Sequence, residues 1–119
     1  MVENQLYHYR AQVTSVYDGD TCTVDIDLGL NAWIRGEKLR LHRINAPELR
    51  GPEREEGLRS RDFLRSHIDG KEILIETIKD KRGKYGRYIA EIWLQNKAGE
   101  WQNMNDAMVE NGFAKYQKY

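Results

Sequence analysis

Apolar and polar positions alternate in short bursts through the first half of the chain. Val13, Val16, Thr21, Thr23, Val24 and Ile26 supply β-branched residues in runs broken by Asp18-Gly19-Asp20 and Leu28-Gly29-Leu30-Asn31, which predicts strands separated by turns. A further run, Lys38 to Asn45, alternates Leu39, Leu41 and Arg43 against Arg40, His42 and Ile44. It predicts a third antiparallel strand, ended by Pro47, which has no N–H for a ladder. Gly29, Asn31 and Gly36 permit turning, so residues 29 to 37 are expected to join the second strand to the third. The pattern then changes. Residues 52 to 69 are dense in Glu, Arg and Leu, with no β-branched residue before Ile68, and predict a helix with Pro52 in its first turn and Gly70 as its stop. Leu64 and Ile68 share a face, with small Gly57 and Ser60 on the preceding turns, a narrow stripe suited to lying against a barrel. Two more strands, 71 to 78 and 87 to 94, flank a loop from Lys79 to Gly86. A last helix over 104 to 111 puts Met104, Ala107 and Met108 on one face before Gly112. The expected class is a β-rich α+β fold, a five-stranded OB-fold β-barrel with two packed helices.

A length of 119 residues bounds this to one domain, 1–119. Basic and acidic residues balance at 19 each, so no global field draws the chain to a polyanion and any electrostatic recognition is local. The single cysteine, Cys22, excludes an intrachain disulfide and a cysteine-rich zinc site and reads as a small strand residue. No stretch approaches the roughly 20 apolar residues of a membrane span, and the opening residues contain no apolar run. A soluble chain without a visible signal peptide is expected, its compartment open.

Three constellations carry candidate chemistry. Asp18-Gly19-Asp20-Thr21 sets two carboxylates around a glycine at the end of the first strand, as hard divalent cations require, although a hairpin turn with solvated aspartates reads the same way. In Leu39 to Glu48 a strand delivers Arg40 and, just past Pro47, Glu48. An arginine grips phosphate through parallel N–H bonds, and a fixed glutamate orients or deprotonates a water. The alternative is two exposed side chains. Finally, Lys79, Lys81, Arg82, Lys84 and Arg87 crowd one loop with Tyr85 among them, which suits a phosphate backbone and a base or sugar face, or an ordinary solvated hairpin.

The series DGDT, RLHRINAPE, KYGRYIAEIWL and NMNDAMVENGFAKY, in this order over residues 7 to 119, resembles the micrococcal nuclease (thermonuclease) family. The resemblance implies an OB-fold core, Ca²⁺ dependence, one ion per site, and endonucleolytic cleavage of DNA or RNA that leaves 3′-phosphates. It implies that Asp20 binds the metal with Asp18 as its nearby partner, and that Asn45 and the main-chain carbonyl of Ala46 complete the protein ligands. Arg40 and Arg87 would contact the scissile phosphate, and Glu48 would act as general base or water-orienting group. Lys84 and Tyr85 would contact a terminal phosphate, and Lys81 and Arg82 extend the basic loop. DNA or RNA is then the expected partner of a monomer with no membrane role.

Three departures from the family pattern stand out. Asn45 stands where an aspartate is usual, keeping a carbonyl oxygen but losing a charge; Ala46 replaces a threonine; and the family's usual C-terminal helix is expected to be absent after Tyr119. The hairpin between Asp20 and Arg40 also reads as longer than usual. The competing reading is a nuclease-like OB module that binds nucleic acid without cutting it. A purely structural domain would leave the basic loop and the Arg40 and Glu48 pair unexplained. His8 and His67 read as structural or solvated. His42, which alternation places on Arg40's face, is a candidate for support behind the site. Trp33, Trp93 and Trp101 read as packing or loop aromatics.

Overall fold

A computed structural model of the chain describes residues 6–117; Met1 to Gln5 lie outside the described residues, as do Lys118 and Tyr119, and with them the expectation placed at the chain end. Strands β1 (His8–Asp18), β2 (Thr21–Gly29) and β3 (Ala32–Leu41) form an antiparallel meander, followed by the short β4 (Ile44–Asn45) and helix α1 (Arg54–Ile68). Strand β5 (Glu72–Arg82) returns antiparallel to β1, and β6 (Tyr88–Gln95) pairs with β5. Then come β7 (Trp101–Asn103), helix α2 (Met104–Glu110) and β8 (Lys115–Tyr116). The sheet closes where β3 runs parallel to β6, with Leu39 opposite Tyr88, Arg40 opposite Ile89 and Leu41 opposite Ala90. The result is a closed five-stranded barrel with two helices, the expected OB class.

Alternation fills the barrel. Ala11 and Val13, Val16 beyond a register shift in β1, Cys22 and Val24, Leu39 and Leu41, Ile73 and Ile75, and Ala90 and Ile92 point inward and are buried. Each of the larger ones contributes roughly 1.5–3 kcal/mol by leaving water. Cys22 is one of these packing residues, its thiol pushed up to about 12 by burial. Pro52 sits in a 3-10 turn ahead of α1, which buries the stripe Gly57, Ser60, Leu64 and Ile68 against the barrel and stops before Gly70 at φ 72°. In α2 the Asn103 side chain caps the helix by accepting from the Asp106 N–H at 2.9 Å. Asn105, fully buried, donates to the His42 and Ala90 carbonyls at 2.9 and 3.1 Å and accepts from the Ile92 N–H at 3.0 Å. It thereby ties the end of β3 to β6.

Several expected boundaries are corrected. The loop expected over residues 29 to 37 is instead a long hairpin. Leu30 and Asn31 alone make the turn, at φ 54° and 64°, and β3 begins at Ala32. Gly36, at φ 70°, is a bulge in β3, held by the Asp25 carboxylate, which accepts from the Gly36 N–H at 2.9 Å and from Arg35 at 3.1 Å. The run from Lys38 to Asn45 is not one strand either: it ends at Leu41, and Arg43 at φ 69° turns the chain so that Ile44 returns to the core. A continuous strand would have faced Ile44 away from Leu41. Strand β5 runs on past residue 78 through a bulge at Lys79 and Asp80 to Arg82, which leaves the basic loop only residues 83 to 87.

Candidate functional site

The site forms where β1 turns into β2 beneath the end of β3. Gly19 makes that turn possible: a Cβ there would stand 2.7 Å from the Ala46 Cβ and 2.8 Å from the Ser60 Cβ, so the turn is pressed against both the β4 segment and α1. Asp20, only 6% exposed, is fixed on both oxygens. Its Oδ2 accepts from the Ala46 N–H at 2.8 Å and lies 3.3 Å from Arg40 Nη2, while Oδ1 accepts from the Thr21 hydroxyl at 3.2 Å. The Asp20 N–H donates to Asp18 Oδ1 at 3.0 Å. Burial and the neighbouring charge of Asp20 push the Asp18 carboxyl up to about 6.

Register brings in the arginines. Arg40 stands opposite Thr21 across the β2–β3 ladder, and the parallel β3–β6 contact carries Arg87, one residue before Tyr88, to the same end of the barrel. Arg40 Nη1 donates to the carbonyls of Leu41 and Ile44 at 2.8 and 3.0 Å, and Nη2 to Asn45 Oδ1 at 3.3 Å, so the guanidinium is held in one orientation. Arg87 Nη1 donates to the Thr21 hydroxyl at 3.1 Å, and its guanidinium carbon lies 5.3 Å from the centre of the Tyr85 ring. Thr21 therefore links Asp20 to Arg87.

Glu48 reaches the site from the segment between β4 and α1. Its N–H donates to Glu53 Oε2 at 3.0 Å, and its carbonyl oxygen occupies the place a side chain at Gly57 would take. The first turns of α1 thus set where Glu48 emerges. Asp18, Asp20, Arg40, Asn45, Ala46, Glu48, Tyr85 and Arg87 all line one open cleft of about 730 Å³. Lys81, Arg82 and Lys84 do not line it. Arg82 turns to Glu37 at 3.3 Å and lies 4.5 Å from the Tyr88 ring centre, and Lys84 stands 5.5 Å from the Tyr85 ring at the cleft's edge. His42 is not in the lining either, since β3 ends before it and alternation no longer applies.

The chemistry on offer is a carboxylate pair at the floor, two guanidinium groups beside it and an exposed carboxylate at the rim. Among the described residues no three His, Cys, Asp or Glu side chains converge. Any cation here would therefore draw oxygens from Asp20, Asp18, the Asn45 amide and main-chain carbonyls. Thr21, Gly57 and Glu53 take parts in the site that the sequence pattern alone does not assign. Gly57 showed only as a small residue in a packing stripe, because the approach of Glu48 is invisible until α1 docks.

A profile of the family described as Staphylococcal nuclease homologue matches residues 38–119. The chain belongs to this family. It is 27% identical to a thermonuclease of Staphylococcus hyicus and 26% identical to one of Staphylococcus intermedius, over 91% and 90% of its own length. It is also 26% identical to an uncharacterised protein of Methanocaldococcus jannaschii over 91% of its length. In each case it spans 59% of the relative's length. The profile covers the Arg40, Asn45, Glu48 and Arg87 positions, and the relatives' similarity extends over most of the barrel.

Proposed function

We propose that the chain is a Ca²⁺-dependent endonuclease that hydrolyses phosphodiester bonds in single-stranded DNA or RNA and leaves 3′-phosphates. The single observation that carries this reading is the convergence of Asp20, Arg40, Glu48 and Arg87, drawn from four separate segments, on one cleft. The proposed residues all come from one chain, and the reading is of a monomer.

Phosphodiester hydrolysis requires the growing negative charge of the transition state to be neutralised and a water to be aimed in line with the leaving oxygen. Arg40, on β3, and Arg87, in the loop just before β6, line one cleft and supply charge in fixed directions. Arg40's orientation is set by two main-chain carbonyls and Arg87's by Thr21. Glu48, exposed at the rim, accepts the water's proton or orients it. The donor set fits a hard cation: burial first, and then the charge of Asp20 beside it on the cleft floor, push the Asp18 carboxyl up, and a divalent ion at the two carboxylates would relieve the second of these. Asp20, Asp18, Asn45 and the Ala46 carbonyl would hold it. Bound there, a calcium ion supplies positive charge to a phosphate oxygen and lowers the pKa of a coordinated water.

The test is incubation of pure protein with single-stranded DNA, with Ca²⁺ or with chelator, followed by end-group analysis. Ca²⁺-dependent products ending in 3′-phosphate are expected, and equal cutting in chelator would sink the metal mechanism. Asn45 is the observation that favours the second reading, a binding module without catalysis, because its amide brings no charge and already accepts from Arg40. That reading expects bound but intact DNA.

A further inference from the structure

The cleft continues past Arg40 along the outer face of the barrel. Thr21 faces Arg40 across the ladder, and one step further Thr23 faces Lys38 on one side and Ser15 on the other. Ser15, Thr23, Lys38 and Tyr17 all line the same cleft as Asp20 and Arg87. Tyr17 is 61% exposed there, and Lys38 is exposed as well. The core beneath is filled by Val16, Cys22, Val24 and Leu39, so packing accounts for neither side chain. Two acids on β2 and β3 beside this row are engaged elsewhere, Glu37 3.3 Å from Arg82 and Asp25 3.1 Å from Arg35, while Asp18, Asp20 and Glu48 share the cleft lining with Lys38. Lys38 and Arg40 are two residues apart on one strand, a separation of about 6.8 Å, the order of one nucleotide repeat in an extended single strand.

We propose that this arm is a second nucleotide subsite, resting on the nuclease reading only for the identity of its ligand as a single nucleic-acid strand. The Tyr17 ring stacks on the base neighbouring the nucleotide at the two arginines, and Lys38 pairs with the next phosphate along. Tyr85, 72% exposed on the other wall, gives the cleft an aromatic on each side of the arginines. Stacking of this kind is tolerant of sequence, since every base has a π-face. The arm therefore sets length preference and affinity and leaves base identity unread.

The experiment is fluorescence anisotropy with labelled thymidine nucleotides lengthened one nucleotide at a time from the mononucleotide. It is run in Ca²⁺ on the Glu48→Gln protein so that bound strands stay intact. Affinity should step up roughly fivefold or more at the length that reaches the arm. Tyr17→Ala and Lys38→Gln should each remove the step, and Tyr17→Trp should keep it. Lys38→Gln should also reduce the slope of log affinity against log salt by about 0.7, the share of one phosphate on a single strand, while Tyr17→Ala leaves that slope alone. A step that survives in both variants, or a loss equal at every length including the mononucleotide, overturns the subsite. A step that depends on Tyr17 in a protein whose parent cuts nothing overturns the catalytic reading and leaves the subsite standing. Binding at no length overturns both.

Discussion

At Asn45 the chain puts an amide beside two carboxylates and two arginines, and the Asn45 oxygen already accepts from Arg40 at 3.3 Å. An aspartate there would add one negative charge facing a cation held by Asp20. Between unit charges about 4 Å apart the gross attraction is about 4 kcal/mol at an effective dielectric of 20, and it doubles for a divalent ion. Most of that is returned as lost hydration, which leaves roughly 1.4 to 2.8 kcal/mol. Asn45→Asp should therefore tighten Ca²⁺ binding by about tenfold to a hundredfold. The rate at saturating Ca²⁺ should change less, because the added charge acts on the bound state and the transition state alike. A Ca²⁺ titration of binding and of cutting in both proteins checks this, and identical midpoints would remove Asn45 from the metal's ligands. Residues of this kind were readable in advance because each sits inside a motif. Thr21 sits in one too, yet its hydroxyl acquires a role only once register brings Arg87 within 3.1 Å, which no local pattern records.

Helix α1 shows two local rules in conflict. Helix propensity favours Ala over Gly by about 1 kcal/mol, so Gly57→Ala in an ordinary helix interior would stabilise. Here the new Cβ would collide with the Glu48 carbonyl and lie 2.7 Å from the Glu48 carbonyl carbon and 3.0 Å from the Pro47 oxygen. These are backbone atoms that no rotamer change can move. Packing should win, with a net loss of roughly 1–3 kcal/mol and displacement of the segment that carries Glu48. Thermal unfolding and a Ca²⁺ titration of cutting, run together, should show a lowered Tm and a lowered maximal rate with a nearly unchanged Ca²⁺ midpoint. A more stable protein with full rate would contradict this account of how Glu48 is placed. The helix itself was legible, since Pro52 and Gly70 frame it and its stripe lies where Gly57, Ser60, Leu64 and Ile68 are buried. The β2–β3 hairpin was not. Gly36 resembles a turn residue but forms a bulge, while the turn falls on Leu30 at φ 54°, an unusual conformation for leucine. The pairing of β4 with β8, two residues each, depends on contacts seventy or more positions apart and leaves no periodic trace.

Closure of the barrel makes the site a property of the whole molecule. Arg40 and Arg87 lie far apart in sequence and become neighbours because β3 runs parallel to β6. Asn105 then fastens the end of β3 to β6 from α2. Further on, Arg43 pairs with Glu91 at 2.6 Å and with Asp106 at 3.0 Å, and the Ser60 hydroxyl donates to the Phe113 carbonyl at 2.6 Å. The two ion pairs tie the turn before β4 to β6 and α2, and the hydrogen bond holds the segment after α2 against α1; β4 and α1 are the two elements that flank Glu48. Among the described residues no helix is long and apolar enough to cross a membrane. The strand count and barrel class followed from periodicity, whereas the closing pair did not, since a parallel contact between strands so distant in sequence is fixed only by the assembled sheet. In the proposed mechanism the two arginines act on one phosphate through their planar, preset guanidinium groups. Its most direct test is the single-turnover rate of cutting of single-stranded DNA at saturating Ca²⁺ by Arg40→Lys and Arg87→Lys proteins whose fold is verified by circular dichroism. Lysine keeps the charge but loses the fork. Each variant should be slower by about 10² or more, and rates equal to the parent protein's in both would contradict the account.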